Sequence, residues 1–96
     1  QQLTHKDIQE IARRMMHSLG KRLADMDMSI EVSDRAVEEI SKEGFDPVYG
    51  ARPLRRAIQA KIEDPLAEQM LEGKFHSGDT VTVDFADSQF FFGKQE

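Results

Sequence analysis

The spacing of apolar residues changes along this chain, and the change limits the folds open to it. Ile8, Ile11, Ala12, Met15, Met16, Leu19 and Leu23 recur at helical spacing. Near the other end Val81, Val83 and Phe85 alternate with polar residues, as one buried face of a strand does. Helices followed by a hairpin predict an α+β domain, with helices packed on one face of a small sheet. The 96 residues suffice for one domain, 1–96, with one modest core.

Turn and cap signals divide the chain further. Thr4 and Asp7 mark the start of a first helix over residues 4–25. Met28, Ile30 and Val32 alternate with Ser29 and Glu31, which predicts a short strand. Ser33-Asp34 caps a second helix, with Val32 and Val37 spaced as a hydrophobic staple and Gly44 as a left-handed stop. Residues 44–53 hold two Gly and two Pro, the composition of a structured loop. Pro53 then opens a third helix whose Leu54, Ile58, Ile62, Leu66 and Met70 repeat every fourth residue. Pro65 is expected to kink or split this helix near Asp64, and Gly73 to end it. Thr80 to Phe85 and Gln89 to Phe92 form a hairpin, which the strand at Ile30 could join as a third strand. The tail at 94–96 is expected to fray.

Composition excludes several functions. A net charge of −5 argues against nucleic acid, whose binders present a basic face to phosphates. Arg52, Arg55, Arg56 and Lys61 form one short basic cluster, enough for a small phosphate ligand or an acidic protein surface. With no cysteine, neither a disulfide nor a thiolate metal site is possible, which is compatible with a cytoplasmic location. No apolar run reaches the length of a membrane span. The opening residues lack a signal-peptide pattern and lack Met, so the chain is expected to begin mid-protein or after processing.

The chemistry of a self-contained active site is missing. There is no G-x-x-x-x-G-K-[ST] loop and no G-x-S-x-G elbow. His5, His17 and His76 are scattered without metal-ligand spacing, so no metal site is expected. One segment stands out, running from Gly44 through Phe45, Asp46, Pro47, Val48 and Tyr49 to Gly50-Ala51-Arg52-Pro53. Gly50 permits a tight backbone approach, Ala51 adds little bulk, and Pro53 pre-sets a helical turn. Arg52 is thereby held at a helix start, where backbone N–H groups favour an anion and a guanidinium adds a bidentate phosphate contact. An ion pair with one of the 18 acidic residues is the competing use of Arg52. Phe45 and Tyr49 are expected to anchor the loop on the core.

The stretch Gly44 to Ile58, continued by Glu63-Asp64-Pro65-Leu66-Ala67, resembles the C-terminal small domain of the Clp unfoldases, AAA+ ATPases of the ClpB and ClpC type. Gly50-Ala51-Arg52 matches the sensor-2 motif of that family. The resemblance continues in order through the first helix, the Ile30-to-Asp34 junction, Gly73 and the hairpin from Gly78-Asp79. The length of the motif favours ClpB and ClpC over the ClpX or HslU branch. The resemblance implies the AAA+ small-domain fold, three main helices on a three-stranded sheet. It implies a lid over ATP or ADP, with Mg²⁺, held by a large subdomain of the same protein. Arg52 would then sense the γ-phosphate beside Gly50 and Ala51, while Ile8 and Ile11 would wall the adenine. This chain alone is expected neither to hydrolyse ATP nor to hold nucleotide tightly. Expected partners are the large subdomain, neighbouring subunits of a hexameric ring, protein substrates and a ClpP-like peptidase.

Phe90, Phe91 and Phe92 are consecutive, so a strand must turn at least one of them to the outer face. These phenylalanines, with Arg55 and Arg56, are candidates for contact with an adjacent subunit. The alternative function is a free-standing interaction module that binds a protein through the hairpin or the basic third helix and needs no nucleotide.

Overall fold

The computed structural model describes residues 4–95. The elements are α1 (His5–Ala24), β1 (Ser29–Val32), α2 (Asp34–Glu43), α3 (Leu54–Ile58), a π-helical turn (Gln59–Glu63), α4 (Asp64–Leu71), β2 (Thr80–Ala86) and β3 (Gln89–Gln95). The strands lie in the order β1-β2-β3, with β1 parallel to β2 and β2 antiparallel to β3. The α+β class is therefore as expected: three helices, the third divided, on a three-stranded mixed sheet.

Local chemistry accounts for the element ends. At the start of α1 the Asp7 amide donates to Thr4 Oγ1 (3.1 Å) and the Thr4 amide donates to Asp7 Oδ2 (3.0 Å), a reciprocal capping box. At its end Asp27 takes φ 62, and the Met28 amide reaches back to the Leu23 carbonyl at 2.9 Å. Leu23 and Met28 are buried in the same cluster, the apolar contact that accompanies this type of helix end. Ser33 caps α2 by accepting from the Ala36 amide. Gly73, at φ 85, ends α4 in the same left-handed way, with the Lys74 amide bonded to the Gln69 carbonyl. Asp87 and Ser88 both have positive φ, the mirror-image turn whose twist matches a two-residue hairpin.

The third helix is divided at Asp64, as expected beside Pro65, and the division takes the form of a π-helical turn. A strict four-residue repeat drifts by about 40° per step on a helix of 3.6 residues per turn. Across Leu54, Ile58, Ile62, Leu66 and Met70 that drift would carry the last residues off the core. A single widened turn absorbs it: the Asp64 amide bonds five residues back, to Gln59. The same turn precedes Pro65, which has no N–H to donate and whose ring would press on the carbonyl four residues earlier in a regular helix. Leu54, Ile58, Ile62 and Leu66 are all at most 2% exposed on this divided helix. Burying each such side chain is worth about 1.5–3 kcal/mol.

Leu54, Ile58 and Ile62 share one core with Ile8, Ala12 and Met16 of α1, Val37 and Ile40 of α2, and Val83 of β2. A second cluster joins Leu23, Met28, Leu66, Phe75 and Val81 around the end of α1. Two further expectations are corrected. Gly44 has φ −95 and ψ 8, so it is not a left-handed stop. Strand β3 continues past Phe92, with Lys94 opposite Val81 and Gln95 opposite Thr80, because the ladder to β2 holds the segment expected to fray. Residue 96 of that tail, and residues 1–3, lie outside the described residues. No helix among the described residues is long and apolar enough to cross a membrane.

Candidate functional site

Gly44 is where the loop to the third helix begins, and its lack of a side chain is a packing requirement. A Cβ there would lie 2.5 Å from Leu54 Cδ1 and 2.6 Å from Leu54 Cα. The end of α2 therefore touches the start of α3, and residues 45–53 form a closed excursion between two contacting ends. Asp46 organises this excursion: its Oδ2 accepts from the amides of Val48 (3.0 Å) and Tyr49 (3.1 Å). Asp46 and Gly50 also exchange two backbone hydrogen bonds, at 2.8 and 2.7 Å. Gly50 closes that bridge at φ 67, a left-handed conformation that glycine adopts freely.

Arg52 follows on an exposed turn. Its guanidinium carbon lies 5.7 Å from the centre of the Tyr49 ring, within cation–π range. Among the described residues no carboxylate lies within ion-pairing distance of Arg52, Arg55 or Arg56. The competing use of Arg52, a pair with a local acid, is thus not made. Lys61 differs: it stands 3.9 Å from Glu43, whose carboxyl is raised above its ordinary range by burial and then by a hydrogen bond with Glu39.

The contribution of the helix start is smaller than the sequence suggests. The Arg52 and Leu54 amides already donate to the Tyr49 and Ala51 carbonyls, and Pro53 has no N–H. The positive charge offered at this turn is that of the Arg52 side chain. Phe45 and Tyr49 do not anchor the loop on the core, being 44% and 61% exposed. The Asp46 carboxylate does that work through hydrogen bonds. Sequence reasoning passed over Asp46, although an Asp before Pro is a turn-initiating signal.

The remaining candidates are distributed over the domain. Gly50, Ala51 and Arg52 share the turn just described. Ile8 is 2% exposed and belongs to the core, with one edge on a groove of 350 Å³ that it shares with Thr4, His5, Lys42 and Phe45. Ile11 packs partly buried against the same core. Arg55 lines a small crevice against α1 beside the Arg22–Glu63 ion pair (3.0 Å), whereas Arg56 is exposed. Phe90 and Phe92 are half-buried on the inner face of the sheet, and the Phe90 and Phe85 ring centres lie 4.9 Å apart. Phe91 faces outward and is 49% exposed, the outer-face residue that three consecutive phenylalanines require. Among the described residues no group of three His, Cys, Asp or Glu side chains could hold a metal ion.

Comparison with known proteins fits this arrangement. The family model described as the C-terminal, D2-small domain, of ClpB protein matches residues 3–83. The chain is 46% identical over 88 residues to the negative regulator of genetic competence ClpC/MecB of Bacillus subtilis, covering 92% of this chain and 11% of that protein. It is 38% identical over 94 residues to the chaperone protein ClpB of Aquifex aeolicus, covering 98% of this chain and 9% of that one. It is 46% identical over 88 residues to the ATP-dependent Clp protease ATP-binding subunit ClpC of Staphylococcus aureus (strain USA300), again 92% of this chain and 11% of the relative. The chain thus spans about a tenth of the length of these relatives.

Proposed function

Because this chain belongs to the family of C-terminal, D2-small domains of ClpB protein, we propose that it is the lid of an ATP site completed by a large subdomain of the same protein. The observation that carries this reading is the Arg52 guanidinium, held on a braced turn and engaged by no carboxylate among the described residues. A guanidinium so placed suits the γ-phosphate, because its planar donors match phosphate oxygens two at a time. The name of the Staphylococcus aureus relative, an ATP-binding subunit, supports ATP as the ligand.

ATP supplies a transferable phosphoryl group whose negative charge grows on the γ oxygens during transfer. Arg52 offers fixed positive charge to those oxygens. Because its contact depends on the γ-phosphate, Arg52 also ties the lid angle to the nucleotide state. Gly50 and Ala51 keep the turn slim enough for close approach. The groove edged by Ile8 and Phe45 offers an apolar wall for the base, with Ile11 supporting it from the core. The phosphate loop, the Mg²⁺ ligands and the catalytic acid belong to the large subdomain in this reading. The parent would be a hexameric ATP-driven unfoldase of protein substrates in the cytoplasm, with a ClpP-like peptidase as partner if it is ClpC-like. Phe91 and Arg56 are exposed and would face the adjacent subunit.

The test supplies this chain, fused, to a Clp large subdomain lacking its lid and measures ATP hydrolysis with Arg52 and with Arg52→Ala. Rescue only by Arg52 is the expected result, with turnover at least about tenfold lower in the variant, as for loss of one charge-stabilising donor. Equal rescue by both would leave a structural lid without a sensor. Failure of both in a folded fusion would favour the interaction module.

A further inference from the structure

A second groove, of 510 Å³, lies between α1 and β1 and shares no residue with the Arg52 turn. Its helical wall is basic. Arg13, His17 and Lys21 stand four residues apart, so their side chains line one side of α1. Arg13 shares its charge with Asp34 at 3.0 Å, whereas His17 and Lys21 are exposed and unpaired among the described residues. The floor is apolar, built from Met16, Met28, Ile30 and Val32. On a chain of net charge −5, a basic wall over an apolar floor is a local inversion of the prevailing charge.

The open edge of the sheet borders the same groove. β1 pairs with β2 only. The Ser29 amide donates to the Asp79 carbonyl (3.1 Å) and the Ser33 amide to the Val83 carbonyl (2.9 Å). In a parallel ladder such residues alternate, so the N–H and C=O of Ile30 and Val32 point to the unpaired edge. Exposed edges are usually blunted by proline, a bulge or lysine. β1 has none of these, its shortness of four residues being its only such protection, and its one charged residue, Glu31, alternates to the outer face opposite Thr82.

We propose that this groove binds an extended acidic segment of a partner protein, which adds to β1 as a fourth strand and sets its carboxylates against Arg13, His17 and Lys21. The unpaired backbone groups require an extended partner, since a helix has none to offer them. The basic wall selects acids. A second copy of this chain fits less well, because its β3 edge brings Lys94, of the same sign as the wall, and its β1 edge brings the single acid Glu31 against three basic side chains.

The test uses a fluorescein-labelled eight-residue peptide of alternating Glu and Val, with binding followed by anisotropy and by amide chemical shifts. Saturable binding is expected, with the largest shifts at Ile30 and Val32. His17→Glu combined with Lys21→Glu should weaken it by at least about tenfold. Both residues are exposed, so the fold is retained, which circular dichroism verifies. Peptides N-methylated at alternate amides, in two versions that block either edge, should lose binding in the version that blocks the pairing edge. Four results would each overturn the proposal: no saturation at millimolar peptide, equal binding of a Lys-Val peptide, equal binding of both methylated peptides, or shifts centred on β3. So would sedimentation of the chain alone as a dimer with the Ile30 amide protected.

Discussion

Replacing Gly44 with alanine sets two effects of opposite sign against each other, and the structure decides between them. At φ −95 and ψ 8 the backbone accepts any residue without strain. Alanine would then stabilise by about 0.4–1 kcal/mol, by reducing the freedom of the unfolded chain. Against this stands the new Cβ, 2.5 Å from Leu54 Cδ1 and 2.6 Å from Leu54 Cα. Carbon atoms in contact prefer about 3.5–4.0 Å, so the two helix ends must part by roughly 1 Å. Leu54 is fully buried and the nearest backbone atom cannot rotate away. Overpacking costs about 1–3 kcal/mol, and a backbone contact at 2.6 Å places this case in the upper part of that range, about 2–3 kcal/mol, leaving a net loss of about 1–2 kcal/mol. For a domain of this size that lowers the thermal midpoint by roughly 4–16 °C. Urea and thermal unfolding followed by far-ultraviolet circular dichroism measure both quantities. Gly44→Asn adds a second reading, since asparagine is the next best residue at a left-handed stop but larger than alanine in a crowded site. It should be at least as damaging as alanine here. A Gly44→Ala variant as stable as the parent sequence would refute the argument, and with it the idea that contact between Gly44 and Leu54 fixes the Arg52 loop.

Gly20→Ala should go the other way. It improves a helix interior by up to about 1 kcal/mol, and its one tight contact, Ile30 Cγ2 at 3.3 Å, is with a half-buried side chain bordering the open groove that can yield by a few tenths of an ångström, so a clear fall in thermal midpoint would show that Ile30 is held rigidly. The Asp84 carboxyl is held below the usual carboxylate range, first by the Ser33 hydroxyl at 2.7 Å and then by the Phe85 amide. Its stabilising contribution is therefore complete above about pH 4 and lost as pH falls through the depressed value. Asp84→Asn should flatten that acid limb, seen as a smaller fall in midpoint between neutral and acidic buffer. Phe91→Ser should leave the melting of this chain nearly unchanged, since the ring is half exposed, yet weaken ring assembly of the parent. Sedimentation unaltered by the substitution would remove the interface role.

Much of the architecture was legible because it follows from period and caps. The Thr4 and Ser33 caps, the alternation in β1 and β2, and the glycine stop at Gly73 all act within a few residues of chain. What escaped depends on contacts between distant segments. The Gly44 requirement exists only because Leu54 arrives beside it, and sequence offers glycine the same reading as a stop or a close approach. The π turn was present in the four-residue repeat from Leu54 to Met70, but Pro65 offered a simpler explanation of the same irregularity. At the candidate site the Arg52 turn was legible from its Gly and Pro spacing. Its brace was not, because the aromatic residues drew attention from Asp46, and a carboxylate bonded to two nearby amides looks like any surface acid in sequence.

The sheet order has a consequence for how the domain is made. Ser29 pairs with Thr80, and between these neighbours in space lie α2, the Arg52 loop and the whole third helix. A ribosome adding about 5–20 residues per second emits β1 roughly 3–10 s before its partner exists. During that interval β1 is unpaired along both edges, and the helices have no sheet to close on. Assembly thus waits for the last fifth of the chain. A nascent chain stalled before Thr80 would present the Arg52 turn without the sheet that completes the domain.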